Sequence, residues 1–165
     1  MKTINSKIIT SAVKEMCLKT GVFLDKNTLK ELKKAKEIED NQAAAFALDI
    51  MIKNARIAEK SSSPLCQDTG MAIVFADIGQ DVKIDGDFIE DAINEGVRQA
   101  YKEGFFRKSV LDPLSRKNTG DNTPAVIHYN IIKGDKLHLK VMAKGFGSEN
   151  MSKLFMLTPS EGIEG

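Results

Sequence analysis

The chain has 165 residues, of which 42% are hydrophobic and 28% charged, and its formal net charge is +1. These values are typical of one soluble globular domain that can bury a hydrophobic core. The near-neutral charge argues against a nucleic-acid-binding surface, and no run of ~20 apolar residues indicates a membrane span. The first residues do not form a signal peptide, so we expect a cytoplasmic protein.

Three helices are predicted in the first 60 residues. Apolar residues at helical spacing predict a helix over residues 6–19, which Gly21 would end. A second helix begins near Asp25 or Asn27, either of which could cap it, and a third covers residues 43–60. We expect the buried face of the third helix to consist of Phe46, Ala47, Ile50, Met51, Ile57 and Ala58.

The second half of the chain contains most of the predicted strands. The apolar run 71–76 predicts a buried strand, and residues 88–102 predict a helix. Strands are predicted over 125–132 and 137–143, joined by a hairpin turn at Gly134 and Asp135, and a short helix is predicted over 151–157. We therefore expect a single α+β domain over residues 1–165. Its N-terminal helices precede a small mixed or antiparallel sheet with a packed helix.

A polar turn precedes the first buried strand and contains Cys66, Gln67, Asp68, Thr69 and Gly70. A cysteine in such a turn can present its thiolate to a pocket, where nearby backbone N–H groups stabilise it. The Gln67 amide can bind a carboxylate or hydroxyl, and Asp68 can accept a proton. The alternative is a buried cysteine beside an ordinary capped turn.

A long polar loop is predicted over residues 104–124, and loops of this length are commonly functional or disordered. Arg107 in this loop could form a bidentate pair with a carboxylate. The run 116–124 is rich in Asn, Thr and Gly, whose N–H and O–H groups can bind an anion. The loop would suit a small dicarboxylate, although it could also be a solvated basic segment.

A third polar run covers residues 144–150 and contains Gly145 and Gly147. Glycines at a strand end let the backbone approach a ligand closely. Neither a dinucleotide-binding fingerprint nor a P-loop matches the spacing. The alternative is a strand-to-helix turn capped by Ser148 or Asn150.

Together these runs resemble the signatures of a known enzyme family. Residues 63–72 resemble the cysteine motif of class I fumarate hydratases and of L-tartrate dehydratase alpha subunits. Residues 117–125 resemble their second signature, and residues 147–152 with 159–165 resemble their third. The resemblance extends over about residues 5 to 165, in the N-terminal region of the family.

The resemblance implies a 4Fe–4S cluster held by three cysteines, with one iron free to act as a Lewis acid on the substrate hydroxyl. Such enzymes reversibly hydrate fumarate to malate, a reaction of the tricarboxylic acid cycle, or remove water from tartrate. By the same resemblance, Cys66 would ligate the cluster and Asp68 would be catalytic. Gln67, Asp68, Arg107 and Gly145 would bind the dicarboxylate substrate.

The cysteine count departs from the family pattern. Cys17 lies on the apolar stripe of the first helix, as a core thiol would, and a disulfide with Cys66 is not expected in a reducing compartment. We therefore expect a fragment or a short subunit that is inactive and cluster-free alone. It would be completed by the remainder of the alpha region and by a C-terminal domain or beta subunit, in a homo- or hetero-oligomer.

Three functions remain open from the sequence. Fumarate hydration leads, with L-tartrate dehydration as the near alternative, because both substrates are C4 dicarboxylates. A non-catalytic assembly or regulatory module of the same fold would suit a chain with one candidate ligand. A thiol-redox protein based on Cys66 would lack a nearby resolving cysteine.

Overall fold

A computed structural model describes residues 2–147 and 151–164. It confirms an α+β fold, with the helices concentrated in the first half and most of the strands in the second. In chain order the elements are β1 (Lys2–Asn5), α1 (Ser6–Val22), α2 (Lys26–Ile38), α3 (Gln42–Ser61), β2 (Met71–Gly79), β3 (Val82–Asp85), α4 (Ile89–Glu103), β4 (Val126–Ile132), β5 (Leu137–Lys144) and a 3-10 helix (Pro159–Glu161).

The main sheet is mixed, with strand order β4-β2-β5. β2 is parallel to β4 and antiparallel to β5, so the predicted hairpin between β4 and β5 is wrong. The connection between them crosses the end of β2, where the Gly79 N–H donates to the Lys136 carbonyl at 2.8 Å. A Cβ on Gly79 would lie 2.4 Å from the carbonyl oxygen of Gly134, so only glycine leaves room for this crossing.

A second, two-stranded sheet pairs β1 with β3 in parallel, and neither strand was predicted. Both strands have only four residues, which is too short to give a clear alternation of apolar and polar positions. β1 runs directly into α1, whose N-cap is Asn5.

The core lies between the main sheet and the pair α1 and α4. The two helices pack closely at Gly96, where a Cβ would lie 2.6 Å from the Thr10 carbonyl oxygen. Gly21 lies inside the last turn of α1 rather than beyond it. The Phe106 ring occupies the space that a side chain at position 21 would fill. The buried core residues are Ile9, Val13, Cys17, Val22, Ala72, Val74, Ile89, Ala92, Ile93, Val97, Ala100, Tyr101 and Phe106.

The helix starts follow local capping chemistry. Asp25 caps α2 by accepting from the N–H groups of Asn27 and Thr28, and Asn41 caps α3 in the same way. The predicted buried face of α3 is wrong except at Ala58. Ile52, Ala55 and Ala58 are buried, whereas Phe46, Ile50, Met51 and Ile57 are exposed.

Two further segments complete the described chain. The long polar loop is confirmed as irregular, apart from one bridge between Leu111 and Asn118. The predicted helix over 151–157 is wrong, because residues 152–158 form neither helix nor strand. Across the described ranges, every helix is too short or too polar to serve as a transmembrane segment.

Candidate functional site

An open cleft of about 420 Å³ lies where the end of α1, the turn before β2 and the segment after β5 meet. It brings together the first and third polar runs, which are more than 70 residues apart in sequence. Three of the predicted site residues, Cys66, Asp68 and Gly145, are on its wall. The full lining is Thr20, Gly21, Leu65, Cys66, Asp68, Thr69, Ala143, Lys144, Gly145 and Gly147.

The turn carrying Cys66 is anchored through its neighbour Leu65. The Leu65 N–H donates to the Gly21 carbonyl at 2.9 Å, and the Asn54 side chain donates to the Leu65 carbonyl at 2.6 Å. Cys66 itself is exposed, and its thiol donates to the Asp68 carbonyl at 3.1 Å. The sulfur is therefore held by a fixed backbone and remains accessible from the cleft.

Cys17, unlike Cys66, is inaccessible to solvent. It is buried in the core on α1, and burial raises the pKa of its thiol to about 12. A thiol with such a pKa is protonated at neutral pH and is a poor metal ligand. The expectation that Cys17 is a core thiol is confirmed.

Asp68 ties the first polar run to the third. One carboxylate oxygen accepts from the Gly70 N–H at 3.0 Å, and the other accepts from the Phe146 N–H at 2.8 Å. Partial burial acts to raise the pKa of Asp68, but backbone N–H groups of residues 146, 70 and 147 and the charge of Arg107 lower it by more. Asp68 is therefore ionised at neutral pH and can act as an acceptor.

Gly70 and Gly145 allow the first and third polar runs to pack closely against each other. Gly70 has a φ of +62°, and a Cβ there would lie 2.2 Å from the Lys144 carbonyl oxygen. A Cβ on Gly145 would lie 3.0 Å from a carboxylate oxygen of Asp68. The Lys144 amine donates to the Gly145 carbonyl at 2.7 Å. A larger residue at 70 would force the cleft wall apart, whereas one at 145 would require the Asp68 carboxylate to shift slightly.

The segment carrying Arg107 is attached to the same turn from the other side. Thr69 Oγ1 donates to the Arg107 carbonyl at 2.7 Å. The Asn122 amide accepts from the N–H groups of Ser109 and Val110 and donates to the Gly70 carbonyl at 3.1 Å. The Arg107 side chain is exposed, and its charge reaches Asp68 electrostatically.

Tyr101 supports the turn from within the core. Its hydroxyl contacts the carbonyl oxygens of Thr69 at 2.8 Å and of Gly70 at 3.2 Å. Burial raises the pKa of Tyr101 well above its usual range, so the hydroxyl remains a donor at neutral pH. The ring packs edge-on against Phe106.

Some predicted residues are not part of the cleft wall. Gln67 is exposed beside it, and within residues 2–147 and 151–164 its side chain makes no hydrogen bond. Arg116 and Lys117 are exposed elsewhere on the loop, and Asp121 pairs with Arg98 at 2.9 Å. Ser148, Glu149 and Asn150 lie outside the described residues, so the predicted cap there is not described.

The donor atoms fit an iron–sulfur cluster only in part. Cys66 provides one accessible thiol at the cleft. Among the described residues, no group of three or more His, Cys, Asp or Glu side chains could hold a metal ion. This turn can therefore supply one ligand, and further ligands would have to come from outside the described part of the chain.

Sequence reasoning missed the supporting roles of Thr69, Tyr101 and Asn122. Asn122 was interpreted as one of several anion-binding loop residues, whereas it is fully buried and bonded to backbone. The residue type of Asn122 was the one local indication of its role. Asn tolerates a left-handed backbone, and Asn122 has a φ of +65°. The partners of Tyr101 depend on tertiary contacts that no local pattern encodes.

Comparison with known proteins identifies the family of the chain. The model of the family "Fumarate hydratase (Fumerase)" matches residues 10–165. The "Putative L(+)-tartrate dehydratase subunit alpha" of Methanocaldococcus jannaschii is 36% identical over 163 residues, which is 95% of this chain and 57% of that protein. "Fumarate hydratase 1, mitochondrial" of Leishmania major is 39% identical over 127 residues, or 75% of this chain and 23% of that protein.

A bacterial relative gives the same result. "Fumarate hydratase class I, anaerobic" of Escherichia coli is 37% identical over 118 residues, covering 67% of this chain and 21% of that protein. The chain thus spans little more than half of the first relative and less than a quarter of the other two. Because the family model matches nearly the whole chain, the chain belongs to the fumarate hydratase (Fumerase) family.

Proposed function

We propose that this chain forms part of an iron–sulfur hydro-lyase that reversibly hydrates fumarate to malate. The observation that carries the proposal is the cleft, which places Cys66, Asp68 and Gly145 on one wall although they are up to about 80 residues apart in sequence. The names of the relatives from Leishmania major and Escherichia coli support the fumarate substrate.

Cys66 would be one ligand of a 4Fe–4S cluster, because it is accessible and lies on an anchored turn. When bound, such a cluster supplies a Lewis-acid iron for the substrate hydroxyl. The other cysteine ligands would come from a further region or subunit. The chain alone would therefore hold no complete cluster and would be inactive.

Asp68 would be the catalytic residue that this chain contributes. It is ionised at neutral pH, and its carboxylate oxygens accept from the backbone N–H groups of Gly70 and Phe146. A carboxylate oxygen has a second lone pair, so Asp68 can still accept a proton or a hydrogen bond from a substrate hydroxyl. Its two backbone bonds would hold it in a fixed orientation for that transfer.

The remaining residues would bind the C4 dicarboxylate. Arg107 would pair with one substrate carboxylate, since a guanidinium offers two parallel donors. The Gln67 amide is exposed beside the cleft and could bind a carboxylate or hydroxyl. Gly145 would let the substrate approach the main chain closely, because its position carries no side chain.

The chain would act together with another polypeptide region. The relatives are longer than the matched part, and the M. jannaschii protein is named as a subunit. We therefore propose a further C-terminal domain or beta subunit, in a homo- or hetero-oligomer. We also propose a cytoplasmic location.

Dehydration of L-tartrate is the second candidate. The tartrate dehydratase relative covers 95% of this chain, whereas the fumarate hydratase of Escherichia coli covers 67%. A non-catalytic assembly or regulatory role is the third candidate, and it is favoured by the single accessible thiol at the cleft.

The decisive experiment is to co-produce the chain with the domain or subunit that completes it and to reconstitute the assembly anaerobically with iron and sulfide. Initial rates are then measured with fumarate, L-malate and L-tartrate. The proposal predicts hydration of fumarate at a higher kcat/KM than dehydration of L-tartrate. The reverse order would identify a tartrate dehydratase, and an assembled, cluster-loaded complex that turns over neither would overturn the proposal.

A further inference from the structure

Two buried side chains hold the Arg107 segment against the turn that carries Cys66 and Asp68. We propose that Thr69 and Asn122 are positioning residues that act through Arg107 and set where its guanidinium stands relative to that turn. The proposal rests on the proposed function for the role of Arg107 in binding a substrate carboxylate. The contacts that carry it are separate from those of any cluster ligand.

Thr69 fixes the main chain of Arg107 itself. It follows Asp68 directly and is only 8% exposed. Its hydroxyl donates to the Arg107 carbonyl at 2.7 Å across 38 residues of sequence. Because the accepting oxygen belongs to Arg107, this bond restrains the point from which the guanidinium extends.

Asn122 fixes the chain immediately after Arg107. Its side chain is fully buried, and its amide oxygen accepts from the N–H groups of Ser109 at 2.7 Å and Val110 at 3.2 Å. Its amide nitrogen donates to the Gly70 carbonyl at 3.1 Å. One side chain thus joins the loop carrying Arg107 to the residue two positions after Asp68.

The placement of these bonds points to the site rather than to general stability alone. An exposed arginine side chain has many rotamers, and the cost of ordering it on a ligand falls when its backbone is already fixed. Thr69 restrains the Arg107 carbonyl and Asn122 restrains the two residues at 109 and 110, and both attach this segment to neighbours of Asp68. A carboxylate-binding arginine needs such a fixed origin to keep its bidentate geometry.

The test uses the 165-residue chain itself, with no cluster and no turnover. A nitroxide label on Cys66, the exposed cysteine, broadens the NMR signals of nearby protons, and the broadening falls very steeply with distance from the label. The reporter is the side-chain N–H of Arg107. The internal control is the side-chain amide of Asn54, which bonds to Leu65 next to the label but has no contact with Thr69 or Asn122 among those described.

Thr69→Val removes the bond to the Arg107 carbonyl and keeps the side-chain shape, whereas Thr69→Ser keeps the bond. Asn122→Asp keeps the acceptor for Ser109 and Val110 but replaces the donor to the Gly70 carbonyl with a repelling oxygen. We expect Thr69→Val and Asn122→Asp to reduce the broadening at Arg107 by at least about twofold, as the segment moves away. The Asn54 signal should be unchanged, and Thr69→Ser should match the unsubstituted chain.

Unchanged broadening at Arg107 in both Thr69→Val and Asn122→Asp would overturn the proposal. Equal changes at Arg107 and Asn54 would also overturn it, because they would indicate general loosening. If Thr69→Val does not fold, Asn122→Asp decides alone, and loss of folding in both variants would assign the residues to stability and overturn the positioning role. Failure of the proposed function would appear in the turnover assays and would leave this measurement intact.

Discussion

The N–H of Phe146 donates a hydrogen bond to a carboxylate oxygen of Asp68 at 2.8 Å and so joins two polar runs that are 78 residues apart in sequence. The other oxygen of Asp68 accepts from the Gly70 N–H within its own turn. One carboxylate therefore closes the cleft wall in addition to its proposed catalytic role. These two uses can be separated by measuring stability and turnover independently.

Asp68→Asn should lower the stability of the isolated chain at pH 7, because an amide nitrogen cannot accept from a backbone N–H. The folded pKa of Asp68 is lowered, since the backbone N–H groups of residues 146, 70 and 147 and the charge of Arg107 outweigh the opposing effect of burial. The stability contributed by its ionised form is present above the unfolded pKa, about 4, and is lost as the pH falls through the folded pKa.

Urea denaturation from pH 7 to pH 3 measures this effect. The gap in unfolding free energy between the unsubstituted chain and Asp68→Asn should narrow as the pH falls below about 4. The ion pair Lys36–Asp49 provides a control because neither residue lines the cleft, and Asp49→Asn should leave the Asp68 effect unchanged. A gap that stays constant over the whole range would show that the Asp68 charge makes no such contribution.

Gly70→Ala should destabilise the chain far more than Gly120→Ala. Both glycines have a positive φ, so both substitutions introduce backbone strain of about 1 kcal/mol. A Cβ at 70 would also lie 2.2 Å from the Lys144 carbonyl, whereas a Cβ at 120 would meet nothing within 4 Å. The difference in unfolding free energy between the two variants should be at least about 2 kcal/mol. Equal losses in urea denaturation would contradict the close packing at Gly70.

Cys66 should react with iodoacetamide at least about a hundredfold faster than Cys17 at pH 8. Cys66 is exposed at the cleft, whereas burial raises the pKa of the Cys17 thiol to about 12 and shields it from the reagent. Peptide mapping after timed alkylation gives both rates, and in denaturant the two should become similar. Faster labelling of Cys17 than of Cys66 in the folded chain would contradict the burial of Cys17 in the core.

The isolated chain should remain colourless and bind much less than one cluster after anaerobic reconstitution. One accessible thiol cannot replace three, and no other metal-binding group occurs among the described residues. Iron and sulfide analysis together with the visible spectrum measures the content. A brown chain with about four irons and four sulfides would show that this chain provides a complete ligand set.

Local chemistry in the sequence predicted the four long helices α1 to α4 but not the end of the chain, where the predicted helix over 151–157 is absent. Asp25 and Asn41 cap α2 and α3 because their short side chains accept from N–H groups two and three residues later, which is a strictly local interaction. The buried strand β2 was predicted from its continuous apolar run, which is also a local feature of the sequence. The three polar runs were identified from the sequence, and the structure brings the first and third onto one cleft.

Non-local pairing was not predictable in the same way. β4 and β5 are close in sequence and favour a hairpin, yet β2 lies between them and pairs with both. Gly79 permits this arrangement, because a Cβ at its position would collide with the Gly134 carbonyl where the connection crosses the end of β2. Asn122 was interpreted as an anion-binding loop residue because polar composition does not report burial. Its three described hydrogen bonds go to backbone groups 12 to 52 residues away in sequence.

The most direct test of the central claim, that Cys66 ligates the cluster of a hydro-lyase, compares Cys66→Ser with Cys17→Ser in the completed enzyme. Cluster content and fumarate hydration are measured for both after anaerobic reconstitution. Serine is a poor iron–sulfur ligand, so Cys66→Ser should lose the cluster and at least about a hundredfold in rate. Cys17→Ser should keep both, since Cys17 is buried in the core. Normal cluster content and hydration in Cys66→Ser would contradict the account at its main residue.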